Sequence, residues 1–406
     1  MPRTSVLPNG VHLVTDSRPG GHSAALGLWL VNGTRHQQPG ESGYAHLLEH
    51  LLFKDTAHRS ALELAQRFDA MGGQINAHTG RELTAIHGLV PQHHLNELLA
   101  LFQELLLEPA FDDHDLAAER EVVFQEMAMV EDTPDEAAED FAVEQVWPGH
   151  PLGLPILGER ATLEAATARG VHAYLRRQLQ GGRLWVVAVG AVDHDELAAG
   201  CEALRRLPTG GAPAVPPPAF TAFQRHVARD GSQTQLQWLM PVPGFADAGR
   251  IARTVADALL GGGYSSRLFQ ELRERRGLVY DVHTRLELYA DTGLWLIQTA
   301  CEPRQADACR KATEAVLATM IEAGPDAAEL EHVREHIGAG LVLERDDPEA
   351  HAERLARESI YLGRVPDLEE HLGQLQEVGA GDVRRALAEA WSRRAHLAWG
   401  PEPQRR

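Results

Sequence analysis

Cysteine is scarce: Cys201, Cys301 and Cys309 are the three in 406 residues, too few and too scattered for a disulfide framework or a cysteine-built metal site. A reducing compartment fits that usage, and a cytoplasmic location is the expectation. Lysine is scarcer still, with Lys54 and Lys311 the two present, and 58 acids outnumber 38 bases for a formal charge of −20. That balance repels phosphate backbones and anionic lipid, so nucleic acid is not an expected partner. No apolar run nears the ~18 residues of a membrane helix. Residues 1–16 lack the charged-then-apolar order of a signal peptide, and no membrane association is expected. Hydrophobic residues at 44% and charged residues at 24% are ordinary for soluble globular domains, and at roughly 150 residues per domain the length predicts two or three.

The strongest punctuation is Pro208-Thr-Gly-Gly-Ala-Pro-Ala-Val-Pro-Pro-Pro218, where proline and glycine crowd out both helical and strand periodicity. It is read as a linker, 208–218, between domains 1–207 and 219–406. In the first half, 11–15, 24–32, 74–90 and 183–189 read as strands, and 44–53, 60–71, 94–107 and 115–130 as helices. The second half repeats the order, with strands near 224–229 and 233–240 and helices near 249–260 and 267–275. Strands and helices without strict βαβ alternation predict an α+β fold, two homologous domains each with a largely antiparallel sheet and helices on one face. Internal duplication is supported by Asp132-Thr-Pro134 with Gly149 against Asp346-Asp-Pro348 with Gly363, a shared offset of 214. Carried along the chain, that offset sets Gly340 opposite Glu126, Leu260 opposite His46 and Tyr264 opposite His50, so a second metal site is not expected.

Chemistry concentrates in His46-Leu-Leu-Glu49-His50. On a helix, positions i and i+4 share a face, so both imidazoles reach one ion while Glu49 stands beside them. Two neutral histidines, a carboxylate and an open position make the ligand set of a catalytic zinc. The helix at 115–130 offers Glu119 and Glu126, seven apart and nearly on one face, bordering Val122 and Val123. A cation would compensate carboxylates placed there; the plainer alternative is an acidic, solvated helix face.

H-x-x-E-H followed 76 residues later by Glu126 resembles the pitrilysin or insulinase peptidases, the inverted zincins. The resemblance runs through Leu7-Pro-Asn-Gly-Val11, Gly27-Leu-Trp-Leu-Val31, Gly40 to Thr56, Gly72-Gly-Gln-Ile-Asn-Ala-His-Thr79 and Glu119-Arg-Glu-Val-Val-Phe-Gln-Glu126. It implies that His46, His50 and Glu126 hold one Zn2+ per chain, that Glu49 is the catalytic base, and that Glu119 steadies a ligand. It also implies that the segment from Gly261 to Tyr280 contributes Arg273 and Tyr280 as donors to a developing oxyanion. Taken alone, those two read as a surface ion pair and the rim of a core. Gln74 to Thr79 reads as an edge strand open to β-augmentation, and by the resemblance Asn76 and Ala77 contact substrate. Ile86 and His87 stand where aromatic residues are frequent in the family, which leaves side-chain preference open.

The expectation is a zinc endopeptidase for short or unfolded peptides, working as a homodimer or as a heterodimer with a related chain. The alternatives are a non-catalytic peptide-binding or scaffold subunit, and a processing enzyme for one precursor. Other histidines keep structural readings: His58, His93, His94 and the Asp112-Asp-His-Asp115 run as capping and solvation. His36 and His150 are placed in loops. Gly261 to Gly263 lacks the lysine of a phosphate loop.

Overall fold

The computed structural model describes residues 2–401. Among these residues the strands form two sheets. The first contains β1 (Arg3–Val6), β2 (His12–Ser17), β3 (Ser23–Leu30), β4 (Gln74–Thr79), β5 (Thr84–Pro91) and β6 (Leu184–Gly190), in the order β1-β2-β6-β3-β5-β4. The second contains β7 (Gln224–Ala228), β8 (Thr234–Pro243), β9 (Val279–Leu288), β10 (Thr292–Cys301) and β11 (Ala395–Gly400), in the order β7-β11-β8-β10-β9. The β2–β6 and β7–β11 pairs are parallel and the others antiparallel. Without β1 the two orders correspond strand for strand, so the duplication is written in the topology.

The helices Asp113–Asp132 and Ala327–Asp346 are both 20 residues long, start 214 apart (327 − 113), and are each followed by a new helix at Pro134 or Pro348. Proline suits the first helical position and cannot continue the preceding ladder, which explains both the break and the restart. The offset does not extend to the motif helix. Tyr264 lies beyond the end of Arg250–Gly261, and the strand-to-helix connection is longer in the first half (31–43) than in the second (244–249). The expected pairing of Leu260 with His46 and Tyr264 with His50 therefore fails, although Gly340 does stand opposite Glu126. The segment read as a helix at 267–275 contains a wider, π-helical stretch over Phe269–Arg275.

The chain packs as two compact units that are not continuous in sequence. One comprises the residues up to Ala128, Leu154–Pro216 and Leu343–Asp367; the other comprises Met129–Gly153, Pro217–Val342 and the residues from Leu368 onward. The 208–218 stretch does hold the passage from the first unit to the second. The contiguous domains 1–207 and 219–406, however, each surrender one helix. The reason is burial. Ala352, Leu355 and Ala356 of Pro348–Leu362 pack with Val14, Ala25, Trp29, Trp185, Val187 and Val189 on one face of the first sheet. Ala138, Ala142, Val143 and Val146 of Pro134–Val146 pack with Leu239, Leu294, Leu296 and Leu397 of the second.

The other face of the first sheet carries the main core of its unit, where Leu47, Leu48, Leu51, Leu98, Phe102, Val123 and Tyr174 meet Leu26, Leu28, Ile86 and Val186. β6 (LWVVAVG) is buried at every position because both faces are covered, which is why it reads as a continuous apolar run.

Candidate metal centre

Gly43 opens the motif helix Tyr44–Leu52 with φ 91°. A Cβ at that position would stand 2.7 Å from the Leu157 carbonyl oxygen, so glycine fits where a larger residue would collide. The helix buries Ala45, Leu47, Leu48, Leu51 and Leu52 and turns His46, Glu49 and His50 to its other side. The helix Asp113–Asp132 buries Leu116, Val123 and Phe124. Val122, expected beside the core, is exposed, yet Val123 and Phe124 suffice to bring Glu119 and Glu126 to the histidines.

His46 Nε2 lies 3.6 Å from Glu126 Oε2, and His50 Nε2 lies 3.7 Å from Glu126 Oε1. The two imidazole centroids are 4.7 Å apart at 66°, and one ligand atom from each of His46, His50 and Glu126 falls within 4.8 Å of the others. His50 Nδ1 meets Glu119 Oε2 at 3.0 Å. An ionised carboxylate can only accept, so Nδ1 carries the proton and the lone pair of His50 is on Nε2, toward Glu126.

Lys54 pairs with the other oxygen of Glu119. Burial works to raise the Glu119 carboxyl, but the hydrogen bonds from Lys54 and His50 outweigh it and hold the group below its ordinary value. Burial, reinforced by the neighbouring His50, pushes His46 down to about 4, which keeps its ring neutral and free to coordinate. Burial also raises Glu49, opposed by a hydrogen bond with Thr79 and by His50 and assisted by the charge of Glu126.

A cation fits this set. Glu126 Oε2 and Glu49 Oε2 are buried without a hydrogen-bond partner, and the two Glu126 oxygens face one imidazole nitrogen each, Oε2 that of His46 and Oε1 that of His50, at distances too long for hydrogen bonds. Two imidazoles and a carboxylate could hold a zinc-like ion there.

Lys54 and Thr79 are the partners that sequence reasoning missed. Lys54 falls four residues after His50, continuing the His46–His50 spacing. Thr79 falls on the same strand face as Ile75 and Ala77, by the alternation of β4.

Asn76 and Ala77 lie on β4, the edge of the sheet, with Asn76 on its more exposed face and Ala77 on its more buried one. Asn76 Oδ1 accepts the Ala77 amide at 2.9 Å, so this outward donor is already engaged. Arg273 and Tyr280 meet each other in the second unit. The Arg273 guanidinium lies 5.2 Å from the Tyr280 ring and 4.8 Å from that of Phe269, and Tyr280 is 80% exposed, unlike the rim of a core.

Of the histidines read as structural, His58 pairs with Glu108 and His94 with Glu97. The Asp112 carboxylate accepts the His114 and Asp115 amides, as a cap does. The three cysteines are buried free thiols. Among the described residues no helix is long and apolar enough to cross a membrane.

Residues 12–160 match the family described as Insulinase (Peptidase family M16), and residues 165–337 match the one described as Peptidase M16 inactive domain. A protein of Mycobacterium bovis described as an uncharacterized zinc protease is 34% identical, the match covering 100% of this chain and 94% of that one. One of Bacillus subtilis with the same description is 30% identical, covering 91% of each. Among solved structures, a protease from Helicobacter pylori superimposes with a TM-score of 0.92 at 21% identity, covering 99% of each chain. A Pseudomonas fluorescens structure described as a peptidase M16 inactive domain gives 0.93 at 20% identity, covering 100% of this chain and 99% of that one. These two establish likeness of fold. The motif, the repeated α+β topology and the full-length similarity together place the chain in the insulinase family of peptidases, M16.

Proposed function

We propose that the chain is a zinc-dependent endopeptidase acting on short or unfolded peptides in the cytoplasm, with one ion held by His46, His50 and Glu126. The supporting observation is the Glu126 carboxylate, with its Oε2 buried and unpaired, facing His46 and His50 through one oxygen each, while the part-unpaired Glu49 carboxylate stands on the helix of the two histidines. Zinc, when bound there, supplies a Lewis acid that polarises the scissile carbonyl and makes water a nucleophile near neutral pH.

Glu49 takes the proton of the attacking water and passes it to the leaving amine. Its burial-raised carboxyl is closer than an ordinary glutamate to the range that suits such a relay. Glu119, held by Lys54, fixes the His50 tautomer so that Nε2 is the coordinating nitrogen. Arg273 and Tyr280 are assigned to the carbonyl oxygen of the substrate, from this chain or from a partner copy. The β4 edge at Asn76 and Ala77 is assigned to its backbone. A homodimer is the proposed assembly, with a related second chain as the alternative.

The test is cleavage of a quenched peptide library by the wild type beside Glu49→Gln, with metal content measured for both. Cleavage by the wild type and its loss in a variant that keeps the metal are expected. A wild type that takes up metal and cuts nothing, alone or with a related chain, would replace the enzyme with a peptide-binding subunit.

A further inference from the structure

The stretch from Arg267 to Arg276 in the second unit carries four arginines, and three of them are tied to carboxylates. Arg267 pairs with Glu329, and Arg275 and Arg276 both pair with Glu271. Arg273 differs. Among the described residues the one carboxylate near it is that of Glu274, 3.9 Å from its Nε and too far for a hydrogen bond. Its close partners are rings, with the Phe269 centroid 4.8 Å from its Cζ and the Tyr280 centroid 5.2 Å away. A carboxylate holds a guanidinium by occupying its N–H donors, which lie in the guanidinium plane. An aromatic face attracts the same cation and leaves those donors unused.

The local chain builds this arrangement from three sides. Phe269 begins the π-helical stretch Phe269–Arg275 and is buried, so its ring is fixed in the core, while Arg273, four residues on, keeps about a third of its side chain exposed. Tyr264, just after the glycines 261–263, packs its ring against Phe269 edge-on, with centroids 5.1 Å apart at 73°, a favoured aromatic geometry. Beyond the π-helical stretch Gly277 takes φ 57°, an angle glycine reaches without strain, and the Leu278 amide closes on the Leu272 carbonyl at 2.8 Å. That turn leads directly into β9, whose second residue is Tyr280.

We propose that Phe269 is a positioning residue for the peptidase reaction, with Tyr264 as its brace: together they hold the Arg273 guanidinium against Tyr280 with its N–H donors free for the substrate carbonyl oxygen. This rests on the assignment of Arg273 and Tyr280 to that oxygen. A donor that stabilises a developing oxyanion contributes most when it is already oriented and has no competing acceptor to leave. The other three arginines of the stretch spend their donors on Glu271 and Glu329; Arg273 is held by ring faces and spends none. Phe269 itself is buried and acts through Arg273, not on the substrate.

The test compares the full-length zinc-loaded wild type with Phe269→Leu, which keeps the position apolar and removes the ring, and with Phe269→Tyr, which restores a ring. Phe269→Leu is expected to lower kcat roughly tenfold with KM within twofold, less than the ~10²–10³-fold of removing an oxyanion donor outright, and Phe269→Tyr to recover most of the loss. Tyr264→Ala, at an exposed ring, should give a smaller fall of the same kind and serves if Phe269→Leu does not fold. A second readout needs no activity: the rate at which phenylglyoxal modifies Arg273, measured by peptide mass spectrometry against Arg275 in the same digest. Loss of a ring that shields the guanidinium should raise that rate at least threefold. Unchanged kcat in Phe269→Leu, or a fall that only follows the loss of folded protein by circular dichroism, overturns the positioning role. A wild type that cuts nothing removes the peptidase reading, and the modification rate then decides the ring contact by itself: a rise in Phe269→Leu supports it and no change overturns it.

Discussion

Where the first unit places Glu119 and Glu126 on its long helix, the second places Val333 and Gly340 at the same offset, on a helix of the same length. Where the first unit's motif helix presents His46, Glu49 and His50, the helix Arg250–Gly261 buries Val255, Ala256, Leu259 and Leu260. Apart from β1 the sheets agree strand for strand, so the architecture tolerates either filling. Burying a cluster of histidines and carboxylates without a partner is costly. Its presence in one unit, where the other has Val333 and Gly340 at the offset of Glu119 and Glu126, identifies it as a site and not as a requirement of the fold.

Five substitutions break or sharpen that comparison. Glu49→Gln makes the first unit as inert as the second: a fall of roughly 10²–10⁴-fold in kcat is expected, with metal content unchanged by elemental analysis. Activity within tenfold of wild type would remove Glu49 as the proton carrier.

Leu355→Ala and Trp147→Ala test the exchanged helices, since Leu355 is buried against the first sheet and Trp147 against the second. Each is expected to cost about 2–5 kcal/mol. Hydrogen exchange should accelerate in β3 and β6 for the first and in β8 and β11 for the second. Acceleration in the opposite sheets would contradict the exchange. Glu119→Gln takes the carboxylate from His50 Nδ1 and from Lys54, and a 10–100-fold loss of zinc affinity by competitive titration is expected. No loss would reduce Glu119 to a surface charge.

Much of this was legible in the residues because it is local. The i, i+4 histidines, the apolar faces of 44–52 and 95–107, and the Asp-x-Pro breaks all follow from helical periodicity and proline chemistry. The two-unit α+β organisation follows from repeating the same order of elements. The exchange of helices was not legible, because Pro134–Val146 and Pro348–Leu362 have apolar faces that fit either sheet in the sequence, and tertiary packing decides between them. The offset of 214 misled at His46 for a related reason: loops of different length between β3 or β8 and the following helix shift the register. Lys54 and Thr79 escaped notice because their roles depend on contacts with Glu119 and Glu49, not on spacing within a motif.

The smallest expected effect concerns acid. His396 on β11 pairs with Trp238, and the matching position of the first unit, paired with Leu28 on β3, is Val186. Neither ring nitrogen of His396 has a hydrogen-bond partner. Burial first, then Arg310 and Arg394, push its pKa down to about 4 from the usual 6.5. The unfolded chain therefore binds a proton below pH 6.5 that the folded chain refuses until about pH 4, so stability is full above 6.5 and falls as pH drops toward 4. At pH 5.5 the loss is about 1.4 kcal/mol, one pKa unit's worth. His396→Val gives the second unit the residue of the first and should remove that increment. Denaturant unfolding of wild type and variant at pH 7.5 and 5.5 should show the wild type losing about 1.4 kcal/mol more between the two. Equal losses would mean that the His396 ring is protonated as readily in the folded sheet as in the unfolded chain.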